Sequence, residues 1–187
     1  MKRAPGKLRV IGGEWRSRLV EFDGDSGVRP TPDRVRQTVF DWLAPLIEGT
    51  RCLDLFAGSG ALGIEALSRG ARKVTFVENG RTQISLIHAA LLQFKADHRF
   101  DMRPMDALSY LEITATRYNV VFLDPPYESD LLGRALERLP SRLLPDNRVY
   151  LEWRGGAPPL PPGYELLREK QAGQVSYGLA SYRMEKT

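Results

Sequence analysis

Leu53-Asp54-Leu55-Phe56-Ala57-Gly58-Ser59-Gly60-Ala61-Leu62-Gly63 reads as an apolar strand running through a glycine loop straight into a helix. The next strand-like run, Lys73 to Val77, is closed by Glu78. Gly58, Gly60 and Gly63 spell G-x-G-x-x-G, and an acid roughly twenty residues further on is the ribose ligand expected of a dinucleotide fingerprint. The stretch therefore predicts a ligand loop in an α/β sheet but leaves the ligand open. Asp54 weighs on the choice, because a carboxylate just before the loop repels a pyrophosphate and attracts an ammonium group. Taken singly, Asp54 as a loop brace and Glu78 as a plain strand-end acid would look the same.

Outward from this stretch, strand and helix signals alternate. Cys52 to Phe56, Lys73 to Val77, Arg99 to Met105, Val120 to Leu123 and Val149 to Trp153 read as strands; Ala61 to Ser68, Thr82 to Lys95 and Leu131 to Leu139 read as helices. Such alternation implies right-handed crossovers and a parallel sheet covered on both faces. Pro104 removes a ladder donor, which puts its strand at an edge. Tyr164 to Arg168 and Val175 to Tyr182 are too close for a helical crossover and must run antiparallel. Towards the start of the chain, Leu8 to Ile11 and Glu14 to Phe22 flank Gly12-Gly13, which predicts a hairpin with a primed turn. Thr31-Pro32-Asp33 predicts a helix start with a capping hydroxyl, and Pro45 a helix end.

The 187 residues suffice for one domain with a short appendage. The net charge of +4 is modest, but Lys2, Arg3, Lys7, Arg9, Arg16 and Arg18 crowd the first twenty residues against Glu14. This end is where a polyanion would be met, although a solvated basic tail has the same composition. Cys52 has no partner cysteine, which excludes a disulfide framework and a thiolate metal site. His88 and His98 stand apart from any acid cluster, so no metal is expected. No run is long enough to span a bilayer and no signal segment is visible, so a cytoplasmic chain is expected.

A second motif, Asp124-Pro125-Pro126-Tyr127, ends the apolar run Val120 to Leu123. An amino group on an aromatic base is a poor nucleophile because its lone pair is delocalised. A carboxylate and a carbonyl that accept its two N–H bonds would localise that pair. The prolines stiffen the turn and carry no N–H, so its carbonyls can face a ligand. Tyr127 could stack on the base. The partner group that fits both motifs is S-adenosylmethionine, with its ammonium for Asp54, its ribose diol for Glu78 as a bidentate acceptor, and its adenine near Asp106. Asp106 reads equally well as the cap of a helix starting near Ala107. A nicotinamide oxidoreductase would use the same glycines, but the chain leaves little room for its substrate domain.

Asp54 to Gly60, Glu78, Asp106 and Asp124 to Tyr127 resemble, in order and spacing, the class I methyltransferases that modify exocyclic amines. Ile11-Gly12-Gly13-Glu14-Trp15-Arg16, Arg29-Pro30-Thr31 with Asp33 to Arg36, and Arg168 to Tyr177 resemble the bacterial 16S rRNA guanine-N2 methyltransferases of the RsmD type. The resemblance covers nearly the whole chain. It implies a class I, Rossmann-like α/β fold with a seven-stranded, mostly parallel sheet and an antiparallel last strand. The chain would divide into a basic hairpin extension, 1–28, and a methyltransferase domain, 29–187. Catalysis would fall to Asp124, Pro125, Pro126 and Tyr127. S-adenosylmethionine would be held by Asp54, Phe56, Ala57, Gly58, Gly60, Glu78, Asp106 and Ala107. Arg9, Trp15, Arg16, Arg18, Arg29, Arg34 and Arg36 would meet 16S rRNA or a small-subunit assembly intermediate, with the protein acting as a monomer. His88 departs from the family pattern, where Asn is usual, at a position expected to support the cofactor wall. Adenine N6 methylation and a non-catalytic rRNA-binding assembly factor are the competing readings.

Overall fold

A computed structural model describes residues 5–27 and 29–184. Lys2 and Arg3, counted above in the basic cluster, lie outside them. The main sheet has seven strands in the order β5-β4-β3-β6-β7-β9-β8. These are β3 Arg51–Asp54, β4 Lys73–Glu78, β5 Phe100–Pro104, β6 Tyr118–Leu123, β7 Leu143–Arg154, β8 Tyr164–Ala172 and β9 Val175–Tyr182. The first five are parallel, and β9 inserts antiparallel between β7 and β8. Pro104 does sit on an edge strand, where its missing N–H costs no ladder bond.

Alternation along the central strands explains the layers. Cys52, Val120 and Phe122 face one buried cluster with α1 Asp33–Leu43, α2 Ala61–Ser68 and α3 Arg81–Gln93. Leu53, Val121 and Leu123 face the opposite cluster with α4 Ala107–Ile113 and α5 Leu131–Arg138. Both faces are covered, as an all-parallel region requires. The crossover geometry brings the carboxyl ends of β3, β4 and β6 to one rim, where the glycine loop lies.

The N-terminal segment differs from the predicted hairpin. β1 Gly6–Arg9 and β2 Leu19–Phe22 do pair antiparallel, but the register joins Arg9 to Leu19, so residues 10–18 form a loop between them. Gly12-Gly13 is not a hairpin turn; it is the point where this loop lands on α2. Gly13 has φ +77°, and a Cβ there would lie 1.9 Å from the Ser68 carbonyl oxygen. Only glycine permits that approach. The Ile11 and Gly12 N–H groups donate to the Glu65 carboxylate at 2.9 and 2.8 Å, and the Trp15 N–H donates to Ser68 Oγ at 2.9 Å. Leu8, Val10, Trp15 and Val20 are buried in the same cluster as α1 to α3.

Glu65 is the hub of this docking. It is 1% exposed and also accepts from Arg69 Nε at 2.8 Å and from Arg36 Nη1 at 3.4 Å. Arg36 is itself 1% exposed and reaches Asp33 and the Thr31 carbonyl. Removing the acid leaves a guanidinium and two backbone donors buried without their acceptor. Glu65→Ala is expected to cost roughly 3–5 kcal/mol in urea melts, whereas Glu14→Ala, which breaks the exposed pair with Arg99, should cost no more than about 1 kcal/mol. A loss below about 1 kcal/mol for Glu65→Ala would show that the N-terminal segment docks by apolar contact alone.

Candidate active site

A cleft of about 1030 Å³ opens where β3, β4, β6 and β7 end and where α1 and α4 begin. Six carboxylates line it, those of Asp54, Glu78, Asp106, Asp124, Glu128 and Glu152, against the guanidinium groups of Arg29 and Arg154. This imbalance suits a cationic occupant and opposes a diphosphate. Among the described residues, no three His, Cys, Asp or Glu side chains are grouped to hold a metal ion.

On one side stands the glycine loop. Gly58 and Gly60 have φ +52° and +76°, the left-handed region that lets the chain reverse from β3 into α2. At Gly63 a Cβ would meet the Phe76 ring at 2.3 Å, so this glycine sets the distance between α2 and β4. Asp54 is 2% exposed, and its Oδ2 accepts from the Gly63 N–H at 2.9 Å. Burial lifts its pKa to about 7 against that hydrogen bond, with a further push from Glu78. Glu78 accepts from the Gly58 N–H at 2.8 Å with one oxygen and from Asn79 and Gly80 at 3.0 and 2.8 Å with the other. Three backbone N–H donors thus fix the Glu78 carboxylate at the mouth of the cleft. Phe56, Ala57 and Ala107 line the cleft. Asp106 caps α4 by accepting from the Ser109 N–H and hydroxyl at 2.9 and 3.1 Å, and those bonds lower its pKa. His88 does not reach this wall. It is exposed on α3 and packs edge-on against Phe100 at 5.7 Å.

The other side is built on the turn after β6. Pro125 is buried while Pro126 and Tyr127 are exposed. The Asp124 pKa is raised well above the usual carboxylate range, first by burial and then by the charges of Glu152 and Asp54, with the nearby Thr31 side chain opposing them. The cap predicted for α1 is corrected: Pro32 occupies the cap position without a side-chain bond, and Thr31 is buried at the wall of the cleft. Glu152, near the end of β7, was not foreseen. It accepts from the hydroxyls of Tyr127 and Tyr150 at 2.6 and 2.5 Å. Arg154 lies over the Tyr127 ring at 4.3 Å. The ring is thus fixed at its hydroxyl and covered by a cation on one face. Glu152 could have been found from the fact that β7 is β6's neighbour, which sequence spacing alone does not disclose.

The residues expected to meet RNA divide. Arg9, Arg16 and Arg34 are exposed, and Arg29 lines the cleft. Arg18 is exposed but lies over Phe94 at 4.2 Å and donates to the Gln93 carbonyl. Two expectations are overturned. Trp15 is 2% exposed, with its ring 5.0 Å from Phe94, and Arg36 is spent on the buried Glu65 pair. Neither presents a surface to a phosphate or a base.

Residues 8–181 match the family described as Conserved hypothetical protein 95. Among curated relatives, Ribosomal RNA small subunit methyltransferase D of Escherichia coli K12 is 42% identical over 178 residues, covering 93% of this chain and 89% of that protein. The protein of the same name from Haemophilus influenzae is 40% identical over 94% of both chains. A solved structure titled putative methyltransferase yhhF, from Escherichia coli, superposes with a TM-score of 0.86 at 39% identity, over 95% of this chain and 98% of that one. With a family match across nearly its whole length, and with the glycine loop and the Asp124 turn facing one cleft, the chain belongs to the Conserved hypothetical protein 95 family of class I methyltransferases.

Proposed function

We propose that this chain methylates small-subunit rRNA, taking the methyl group from S-adenosylmethionine and placing it on the exocyclic N2 of a guanine. The observation that carries the reading is the Asp124-Pro125-Pro126-Tyr127 turn, which lines the same acid-rich cleft as the glycine loop. The names of the relatives support rRNA as the substrate class. S-adenosylmethionine, when bound, supplies an electrophilic methyl carbon on a sulfonium. Asp54 would meet its ammonium, Gly58 to Gly60 its methionine part, Glu78 a ribose hydroxyl, and the region of Asp106 and Ala107 its adenine.

The protein's own work is to prepare the amine. Asp124 and the Pro125 carbonyl accept the two N2 hydrogens, which localises the nitrogen lone pair and aims it. Tyr127 offers the ring face opposite Arg154 to a guanine flipped from a loop, at an unstacking cost of a few kcal/mol. Orientation of this kind is worth on the order of 7–11 kcal/mol when near-attack geometry is reached. Asp124 need not be a strong base, since the proton turns acidic once nitrogen carries the methyl. The N2 proton passes to Asp124 and then to solvent. Asp54 and Asp124, both held towards the neutral form by burial and by nearby acids, ionise more readily when a cation shares the cleft. Arg9, Arg16, Arg29 and Arg34 would grip phosphates without reading sequence.

Transfer of labelled methyl to unmodified small subunits, followed by nucleoside identification, should place label in N2-methylguanosine. Label in N6-methyladenine would keep the site and replace the base, and no label would leave an RNA-binding assembly factor. Asp124→Ala should lower kcat by roughly 10²-fold or more while S-adenosylhomocysteine affinity stays within about threefold. Unchanged turnover in that variant would remove Asp124 from the chemistry.

Glu152 acts through Tyr127 and through its charge on Asp124, so Glu152→Gln has a readout beyond lost rate. The acid limb of kcat/KM, below which Asp124 is protonated, should move to lower pH because a charge that raises the Asp124 pKa is gone. An unmoved limb would reduce Glu152 to a brace for two tyrosines. Asp54 makes the complementary case in stability. Its folded pKa is raised, so the fold binds its proton more tightly than the unfolded chain does, and stability is lost as pH rises through about 7. Asp54→Asn removes that loss. The ligand-free variant should therefore gain in Tm over the parent, by about 2–4 °C or more at pH 8 and by less at pH 5, while S-adenosylhomocysteine binds at least tenfold more weakly. An equal gain at both pH values would contradict the burial argument.

A further inference from the structure

At the opposite end of the sheet lies a second concavity, of about 600 Å³, that the proposed reaction does not use. Its charged lining residues are Arg51, Arg72 and Arg117, and no acid is among those that line it. Arg51 opens β3, Arg72 immediately precedes β4 and Arg117 immediately precedes β6. These strands are consecutive in the sheet, β4-β3-β6, so the three cations form a row set by the strand pitch, on the order of 10 Å from end to end. All three are exposed. Among the described residues, the Arg51 and Arg72 side chains make no ion pair and no hydrogen bond, and Arg117 makes only a long one of 3.5 Å to the Ser141 carbonyl. Among the described residues, Arg99, Arg134, Arg138 and Arg183 are matched with acids, while exposed arginines such as Arg16 and Arg34 are not; what sets this row apart is that its three cations share one concavity. Asn119 adds a polar floor by accepting the Arg51 N–H at 2.9 Å.

We propose that this rear cleft binds the phosphodiester backbone of a second RNA segment, away from the target base. A row of guanidinium forks suits a chain of anions better than a single phosphate, and planar forks pair phosphate oxygens two at a time. The parallel strands separate the two ends of the sheet by their own length, on the order of 20 Å for the six residues of β6. A stem that presents its target base to the Asp124 turn therefore does not reach the cleft, whereas a folded rRNA domain can meet both ends. The cleft would favour a structured particle over an isolated hairpin. The inference rests on rRNA being the substrate.

The test compares the full chain with the double variant Arg51→Gln, Arg72→Gln, whose positions are exposed. Binding is measured across salt concentrations on a large folded rRNA domain and on a short hairpin bearing the target guanine. For the large RNA, affinity should fall roughly tenfold and the slope of log K on log salt should shrink by roughly 1.5, two phosphate contacts' worth. Methyl transfer to the hairpin and S-adenosylhomocysteine affinity should be unchanged, which also shows that the variant is folded. An unchanged slope and affinity on the large RNA would overturn the proposal and leave solvated arginines. So would inorganic triphosphate binding to the parent but not the variant with no difference on RNA, since the cleft would then take a free polyphosphate. If the parent binds no rRNA at all, the substrate reading fails and this one with it; if the parent methylates and the variant matches its affinity and salt slope on the large RNA, only the rear cleft is lost.

Discussion

The Glu65 carboxylate gathers polar partners from parts of the chain that lie far apart in sequence. A carboxylate taken out of water is costly, and here the cost is offset by two guanidinium groups and two backbone N–H donors at one point. Those partners come from the loop 10–18, from α1 and from Arg69, which caps the end of α2. Arg36 in turn donates to the Thr31 carbonyl at the entrance of α1, and Thr31 lines the cleft together with Asp124. The chain of contacts therefore runs from a buried ion pair on one face of the sheet, through Arg36 and Thr31, to the wall of the cleft.

The cleft carries the opposite electrostatic logic. Burial and the charges of Glu152 and Asp54 raise the cost of ionising Asp124, burial and Glu78 raise that of Asp54, and among the described residues no buried arginine compensates them as Arg36 compensates Glu65. Such crowding is unfavourable to an empty fold. It is favourable to a fold that receives a cation, because the repulsion among the acids becomes attraction for the ligand.

The sheet was readable because its signals are local. The continuous apolar run Val120 to Leu123, the glycine loop, and Pro104 at a sheet edge each depend on a few neighbouring residues. The errors share a different character. Gly12-Gly13 has the composition of a hairpin turn, but its glycines serve a contact with Ser68, more than fifty residues away. Arg36 looks like its exposed neighbour Arg34 until Glu65 is placed beside it. Thr31 has the form of a helix cap, but Pro32 takes the cap position and Thr31 is buried at the wall of the cleft. Glu152 went unseen because only the lateral strand order puts it next to the Asp124 turn. What sequence patterns withhold is the destination of a polar side chain whose partner is distant.

The docking of the N-terminal loop also sets a timetable. Its hydrogen-bonded partners lie far along the chain: Ser68 is 53 residues beyond Trp15, and Arg99 is 85 beyond Glu14. At roughly 5–20 residues per second of synthesis, Trp15 is made several seconds before the surface that buries it is complete. During that interval an apolar indole and several arginines travel unburied. Contacts so distant in sequence form slowly, so the loop is among the later parts to settle, even though it is among the earlier parts to be made.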